Sequence, residues 1–192
     1  MNKITILIIF IFISCPLKAE NNIVTYGLKS QSTKINIKVY SSLTCPYCAE
    51  FHLKILPNII KKYVSSEQVY IELHDYPLDQ GALIAAQVQK CFSIKDQKLF
   101  LDEIYKTQSK WGAAKSLKDL EYNLSEITKP LNLDNEKFKK CIKNKDFETI
   151  VLKSRINAQN KYDINSTPTL IINEKKYKGK LKNIDKYIQK LL

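Results

Sequence analysis

Two cysteines separated by two residues are the part of this sequence best suited to chemistry. Cys45 and Cys48 stand in residues 42–52, which read SLTCPYCAEFH. The thiolate is the reactive form of cysteine, and an isolated thiol titrates near ~8.5, so reactivity requires surroundings that lower its pKa. The spacing leaves three interpretations open: a redox pair that opens and closes, a structural bridge, or half of a metal site.

The elements that flank the pair favour the first interpretation. Residues 34–40 alternate polar and apolar side chains, which predicts a strand, and residues 46–63 space their large apolar side chains as a helix does. Pro46 suits the first helical position, because its missing N–H would have no partner there, whereas Pro57 is expected to kink the helix. Residues 69–73 predict a second strand. Strand, helix and strand form a βαβ unit with a parallel pair and a right-handed crossover.

The two thiols are not equivalent in this arrangement. Cys45 precedes Pro46, so its sulfur is expected at the positive end of the helix dipole, while Cys48 lies one turn further in. We therefore assign Cys45 as the nucleophile and Cys48 as the resolving cysteine. Once the pKa of Cys45 is below 7, each further unit by which it falls stabilises the reduced dithiol form by about 1.4 kcal/mol. This corresponds to roughly 30 mV of oxidising power. Pro46 and Tyr47 are the intervening tuning residues, and the neutral Tyr47 hydroxyl predicts a moderately strong oxidant.

His52 has several possible roles. It could tune the Cys45 thiolate, shuttle a proton, or only pack beside the helix. A zinc site could also recruit Cys45, Cys48, His52 and His74, but the sequence has no second cysteine pair at ligand spacing. We therefore expect no metal and no other cofactor.

The first residues have the layout of a secretory signal peptide. A positive start is followed by an apolar run at 4–13 and a small residue, Ala19, at a cleavage position. That run is about half of the ~20 residues that a membrane-spanning helix needs. An uncleaved anchor and a lipoprotein signal at Cys15 are alternatives. Cleavage after Ala19 removes Cys15 and leaves an even number of cysteines, in a compartment where disulfides form.

The chain is strongly basic, with a formal net charge of +12. Lys3 and Lys18 would leave with residues 1–19, so the mature chain is near +10. Arg155 is its single arginine and the lysines are scattered along the sequence. Nucleic-acid binding normally uses a clustered basic patch with arginines, so we expect no nucleic-acid partner.

About 170 mature residues can bury the core of one domain, and the middle of the chain differs from its ends. Residues 78–145 contain no convincing strand and are predicted to form an all-helical subdomain inserted between residues 20–77 and 146–192. The predicted helices are 83–91, 97–106, 117–127 and 136–142, followed by a long helix 147–162, strands 169–173 and 176–178, and a helix 184–192.

Two motifs together resemble the thioredoxin fold, which implies an α/β architecture. Cys45-Pro46-Tyr47-Cys48 follows a strand, and Ser166-Thr167-Pro168-Thr169 precedes a later one. In that fold a cis-proline and the residue before it face the active-site disulfide and expose backbone to an incoming polypeptide. The resemblance implies that Thr167 and Pro168 contact substrate.

Four stretches in order resemble the DsbA family, in particular its α-proteobacterial type: YSSLTCPYCAEFHLKILP, HDYPLD, KFKKCIKN and NSTPTLIIN. The resemblance implies a monomeric periplasmic enzyme that donates its disulfide to reduced or unfolded exported polypeptides. Its implied partner for reoxidation is a quinone-linked membrane oxidase of the DsbB type. Some relatives carry a second disulfide, which implies that Cys91 pairs with Cys141; two buried free thiols are the alternative.

A disulfide isomerase or reductase of the DsbC/DsbG type is the other function that the active-site residues allow. Such enzymes carry a dimerisation domain ahead of the thioredoxin part. Only about 14 residues, 20–33, precede the first predicted strand here, which is too few for a domain. The sequence therefore favours an oxidase.

Overall fold

The computed structural model describes residues 23–192, so the predicted signal peptide, residues 1–19, lies outside the described part. A five-stranded mixed sheet with the order β1-β3-β2-β4-β5 forms the centre. β2 and β3 are parallel, as the βαβ unit predicted, and the other neighbouring strands are antiparallel. The strands are β1 Val24–Tyr26, β2 Ile35–Ser41, β3 Val69–Asp75, β4 Thr169–Ile172 and β5 Lys175–Lys176.

The helix that follows β2 runs without a break but changes its winding three times. It consists of α1 Pro46–Glu50, a π-helical segment Phe51–Ile55, α2 Leu56–Ile59 and a second π-helical segment Ile60–Val64. The sequence predicted a kink at Pro57, and the kink stays a prediction. The first π-helical segment ends just before α2, which contains this proline, a residue that cannot donate a backbone hydrogen bond.

Every secondary-structure element assigned between residues 80 and 142 is a helix, as predicted. Most of the longer helices begin with a capping side chain. Asp79, Ser93, Ser116, Asp134 and Asn144 each accept a hydrogen bond from the backbone of the first turn. The helices are α3 Gln80–Lys90, α4 Ile94–Lys106, α5 Gln108–Trp111, α6 Leu117–Thr128, a 3-10 turn Lys129–Leu131, α7 Asn135–Ile142 and α8 Lys145–Tyr162.

After the hairpin of β4 and β5, a 3-10 turn Leu181–Asn183 leads into α9 Ile184–Leu191. Among the described residues, three apolar cores meet at the sheet, and the smallest of them joins Tyr40, Tyr76, Ala158, Ile164 and Ile171. On one face, Ile35, Ile37 and Val39 of β2 pack with the buried residues of the Pro46–Val64 helix and α9. The second core joins Cys45 and Cys48 to the helical subdomain around Trp111, so the cysteine pair lies where the two parts of the chain meet. Within residues 23–192, no helix is both long and apolar enough to span a bilayer.

Two short elements were missing from the sequence-based prediction. β1 pairs antiparallel with the edge of β3, and its three residues are too few to show a periodicity. α5 has four residues, which are also too few to show a helical periodicity in the sequence.

The sulfurs of Cys91 and Cys141 form a disulfide between the end of α3 and α7, with a Cα–Cα distance of 6.0 Å. The bridge closes a loop of 50 residues inside the helical subdomain. Such a loop restricts the unfolded chain, which in the chain-entropy account stabilises the native state by up to about 4 kcal/mol.

We predict that replacing Cys91 and Cys141 together by alanine lowers the free energy of unfolding by about 2–4 kcal/mol, because the unfolded ensemble gains freedom. Equilibrium urea denaturation measures the change. A double alanine variant of Cys45 and Cys48 keeps the bridge and serves as the matched control. A loss below about 1 kcal/mol would contradict a stabilising role.

Candidate active site

Cys45 is the N-cap residue of α1, with extended backbone angles, and Pro46 takes the first helical position. The two cysteines are free thiols here, so the structure represents the dithiol form. Cys45 is 8% exposed to solvent and Cys48 is 1% exposed, whereas the neighbouring Tyr47 is 67% exposed. Cys45 is therefore the sulfur that an incoming polypeptide can reach, and Tyr47 lies on the surrounding surface.

The pKa values of the two thiols move in opposite directions. Hydrogen bonding from the Cys48 thiol is the largest cause that lowers the pKa of Cys45, to about 5, against the opposing effect of burial. Thr167 and the backbone N–H groups of Tyr47 and Cys48 lower it further. Burial, together with the neighbouring Cys45, raises the pKa of Cys48. The pair thus holds one thiolate on Cys45 and one proton on Cys48.

The segment before β4 brings a second backbone strand against the sulfur. The Thr167–Pro168 peptide bond is cis, and the Thr167 carbonyl oxygen lies 3.4 Å from the Cys45 sulfur, which donates to it only in the protonated form. Within the described residues, the buried Thr167 hydroxyl has no hydrogen-bond partner. It is therefore available to donate to the Cys45 thiolate. Residues 122 positions apart in sequence share one site.

The helical subdomain also reaches the cysteine loop. The Gln108 side-chain amide donates to the carbonyls of Leu43 at 2.8 Å and Cys45 at 3.1 Å. The Thr44 hydroxyl donates to Asp79 at 2.6 Å, whose other oxygen caps α3. Sequence reasoning missed Gln108, because a single glutamine in a four-residue helix carries no periodic signal. These bonds hold the loop that presents Cys45.

His52 lies inside the protein, one turn beyond Cys48. Its Nε2 is 2.7 Å from a carboxylate oxygen of Asp102 on α4, and its ring lies 4.8 Å from that of Tyr105. Burial lowers the pKa of His52, against the effect of Asp102. The groups that act most on the Cys45 thiol are instead Cys48, Thr167 and the helix N–H groups. A tuning role for His52 therefore stays a prediction, and its observed contacts join the active-site helix to the subdomain.

The four ligands of the zinc alternative do not come together. His74 bonds to Glu72 at 2.8 Å and stacks on Tyr40, whereas His52 pairs with Asp102. Across residues 23–192, no group of three or more His, Cys, Asp or Glu side chains is placed to hold a metal ion. The cysteine pair stands as a dithiol beside a cis-proline.

Comparison with known proteins identifies the family. The model of the family described as Thioredoxin matches residues 20–190, so the chain belongs to that family. The structure resembles that of Wolbachia pipientis alpha-DsbA1, with a TM-score of 0.77 and 28% identity over 88% of this chain and 90% of that one. These findings confirm the predicted thioredoxin fold and the resemblance to DsbA-type oxidoreductases.

Two further similarities are more distant or partial. A Rickettsia bellii protein, named for a proposed protein-disulfide oxidoreductase activity, is 30% identical over 69% of this chain and 49% of its own length. The chain thus spans about half of that curated relative. The protein-disulfide isomerase of Novosphingobium aromaticivorans has a TM-score of 0.77 at 14% identity, over 88% of this chain and 98% of that one, and shares the fold.

We predict that the reduced protein titrates one thiolate with a pKa of about 5. Ultraviolet thiolate absorbance followed against pH measures it, with the oxidised protein as the blank. The Cys45→Ala variant should lose the transition, because the pKa of Cys48 is raised. A transition near ~8.5, the value of a free thiol, would contradict the assignment.

The same shift predicts how stability depends on pH. The folded pKa of Cys45 is depressed, so the thiolate stabilises the reduced folded protein fully above the unfolded pKa of ~8.5 and progressively less as the pH falls. The contribution is lost as the pH falls through about 5. Urea denaturation of reduced wild type and of reduced Cys45→Ala across this range should give curves that converge at the acid end. Parallel curves would contradict the prediction.

Proposed function

We propose that this protein is an exported thiol:disulfide oxidase that introduces disulfides into newly translocated polypeptides. The observation that carries the proposal is the unequal pair: a low-pKa sulfur on Cys45 beside the cis peptide of Thr167 and Pro168, above a buried, protonated Cys48. A dithiol that is stabilised as a thiolate favours its reduced form and therefore passes its disulfide to other thiols.

The reaction begins with the protein in its disulfide form. A client thiolate attacks the Cys45 sulfur, the Cys45–Cys48 bond breaks, and Cys48 leaves as a thiolate that takes up a proton. A second client thiolate then attacks the client sulfur of the mixed disulfide and expels Cys45 as a thiolate. Two electrons pass from the client to the cysteine pair. The stable Cys45 thiolate is the better leaving group, because its pKa is low.

The Thr167 backbone and Pro168 have a defined part in this scheme. We assign them as the surface along which the client lies, since the Thr167 carbonyl is 3.4 Å from the Cys45 sulfur. The exposed Tyr47 ring borders the same approach. The Thr167 hydroxyl can donate to the developing thiolate on Cys45 as the client departs.

The cellular setting is part of the proposal. Residues 1–19 act as a signal peptide, the mature monomer works in the periplasm, and a DsbB-like quinone-linked membrane oxidase restores the Cys45–Cys48 disulfide. The signal-like sequence and the DsbA-type family support this setting.

We predict that the oxidised protein rapidly oxidises reduced ribonuclease and rescues scrambled ribonuclease poorly in a defined redox buffer. Cys45→Ala and Cys48→Ala should each abolish the oxidation, because neither variant can form the Cys45–Cys48 disulfide that is passed to the client. Recovered ribonuclease activity and non-reducing gels report the two outcomes. Efficient rescue of the scrambled enzyme with slow oxidation of the reduced one would make isomerase the better assignment.

We also predict that residues 1–22, fused to alkaline phosphatase without its own leader, give active phosphatase in a bacterial host. Alkaline phosphatase becomes active only where its disulfides form, so its activity reports export. A fusion in which Ile8 and Ile9 are replaced by aspartate interrupts the apolar run and is the matched control. Equal activity of the two fusions would count against a signal peptide.

A further inference from the structure

The lysines near the C-terminal end of the described chain form an uncompensated positive surface. Residues 175–190 contain a single side-chain carboxylate, that of Asp185, which is bonded to Lys62 and Tyr63. Lys178, Lys180 and Lys182 are all exposed, and no carboxylate of the described residues lies within ion-pair distance of them. The lysines of this stretch are Lys175, Lys176, Lys178, Lys180, Lys182, Lys186 and Lys190.

The sheet carries part of this stretch to the active site. In the β4–β5 hairpin Ile171 pairs with Lys176, and the Tyr177 N–H donates to the Leu170 carbonyl at 2.9 Å. Because β5 is antiparallel to β4, the chain after Lys176 leaves the sheet at the end where Pro168 precedes β4, and Cys45 follows β2 at the same end. On its other side, the turn Leu181–Asn183 packs on the π-helical segment Phe51–Ile55 of the active-site helix. Residues 178–182, here named the lysine loop, therefore lie at the end of the sheet that carries the Cys45 site.

The lysine loop has a fixed shape. The Tyr177 hydroxyl donates to the Lys180 carbonyl at 3.0 Å, so residues 178–180 form a turn beside the Tyr177 ring. Gly179 lets the ring lie close to the chain, because a Cβ at this position would lie 2.3 Å from the Tyr177 hydroxyl. The Tyr177 ring is 4.9 Å from that of Tyr187 on α9. Lys178 and Lys180 are therefore held on a small, anchored loop at the edge of the sheet.

A shallow concavity extends the positive surface away from Cys45. It has a volume of about 550 Å³ between the loop and α9. Its lining combines lysines with aromatic rings and one amide: Lys176, Tyr177, Lys178, Gly179, Asn183, Lys186 and Tyr187. Carboxylate side chains are the groups whose charge complements this lysine-rich lining.

We infer that the lysine loop selects client polypeptides whose reactive cysteine is flanked by aspartate or glutamate. The inference rests on the proposed oxidase function and names its substrate class. Opposite charge accelerates encounter, and the effect weakens as salt screens it. The loop has a second effect on the client thiol. Acidic neighbours raise the pKa of that thiol, and the lysines of the loop lower it again, so a larger fraction of the thiol is present as the attacking thiolate than in free solution.

The test uses full-length oxidised protein and two reduced peptides with two cysteines each, identical except that acidic or neutral residues flank the cysteines. Lys178, Lys180 and Lys182 are changed together to glutamine. We expect the rate with the acidic peptide to fall about ten-fold at low salt, near the lower end of the range for electrostatic steering. The rate with the neutral peptide should change less than about two-fold, and high salt should remove the difference.

A triple variant with the same loss of charge is the matched control. Lys95, Lys140 and Lys143 are exposed and, within the described residues, have no carboxylate at ion-pair distance. They lie around the Cys91–Cys141 bridge, at the end of α3 away from Asp79 and the cysteine loop. Changing them to glutamine should leave both peptide rates near those of the wild type. An equal fall in the two triple variants would show a net-charge effect and overturn the inference.

Two further outcomes are decisive. If the wild type oxidises neither peptide, the proposed oxidase function itself fails. If the wild type oxidises both peptides at the same rate, the oxidase function stands and only the client preference fails. Sedimentation with phosphatidylglycerol vesicles tests the other anionic partner. If the lysine-loop variant loses vesicle binding but keeps the wild-type rate with the acidic peptide, the loop serves a lipid surface and the inference is overturned.

Discussion

The placement of the Cys45 sulfur is the constraint on which the rest of the structure depends. It lies at the N-terminus of a helix, beside the protonated thiol of Cys48 and the side chain of Thr167. Each of these neighbours stabilises negative charge on sulfur, while burial opposes it. The balance matters because thiolate stability determines both the nucleophile and the leaving group of an exchange reaction.

The helical subdomain contributes to this placement. Gln108 holds the carbonyls of Leu43 and Cys45, and Thr44 is bonded to Asp79, the N-cap residue of α3. Gly81 permits the close approach that this requires, since a Cβ there would lie 2.8 Å from a methyl group of Leu120. The subdomain thus acts as the second support of the cysteine loop, and the Cys91–Cys141 bridge stabilises that support at its far end.

Some parts of the fold and site could be predicted because their signals are local. The alternation of β2, the helical spacing after Pro46 and the capping residues of the subdomain each occupy a few consecutive positions. The CPYC motif and the Thr167-Pro168 pair are equally compact. β1 and α5 escaped prediction because they are too short for a periodicity, and the π turns around Pro57 because they depend on how the helix packs.

The reactive groups can be read from the amino-acid sequence alone: a spaced thiol pair at a helix start, a proline turn later in the chain, and a strongly basic composition. Which groups act on Cys45 depends on the folded chain, because Thr167 and Gln108 reach it across 122 and 63 positions. The folded chain also bonds His52 to Asp102. The lysines of residues 175–190 are already neighbours in sequence, and the antiparallel pairing of β4 and β5 places their stretch at the same end of the sheet as Pro168.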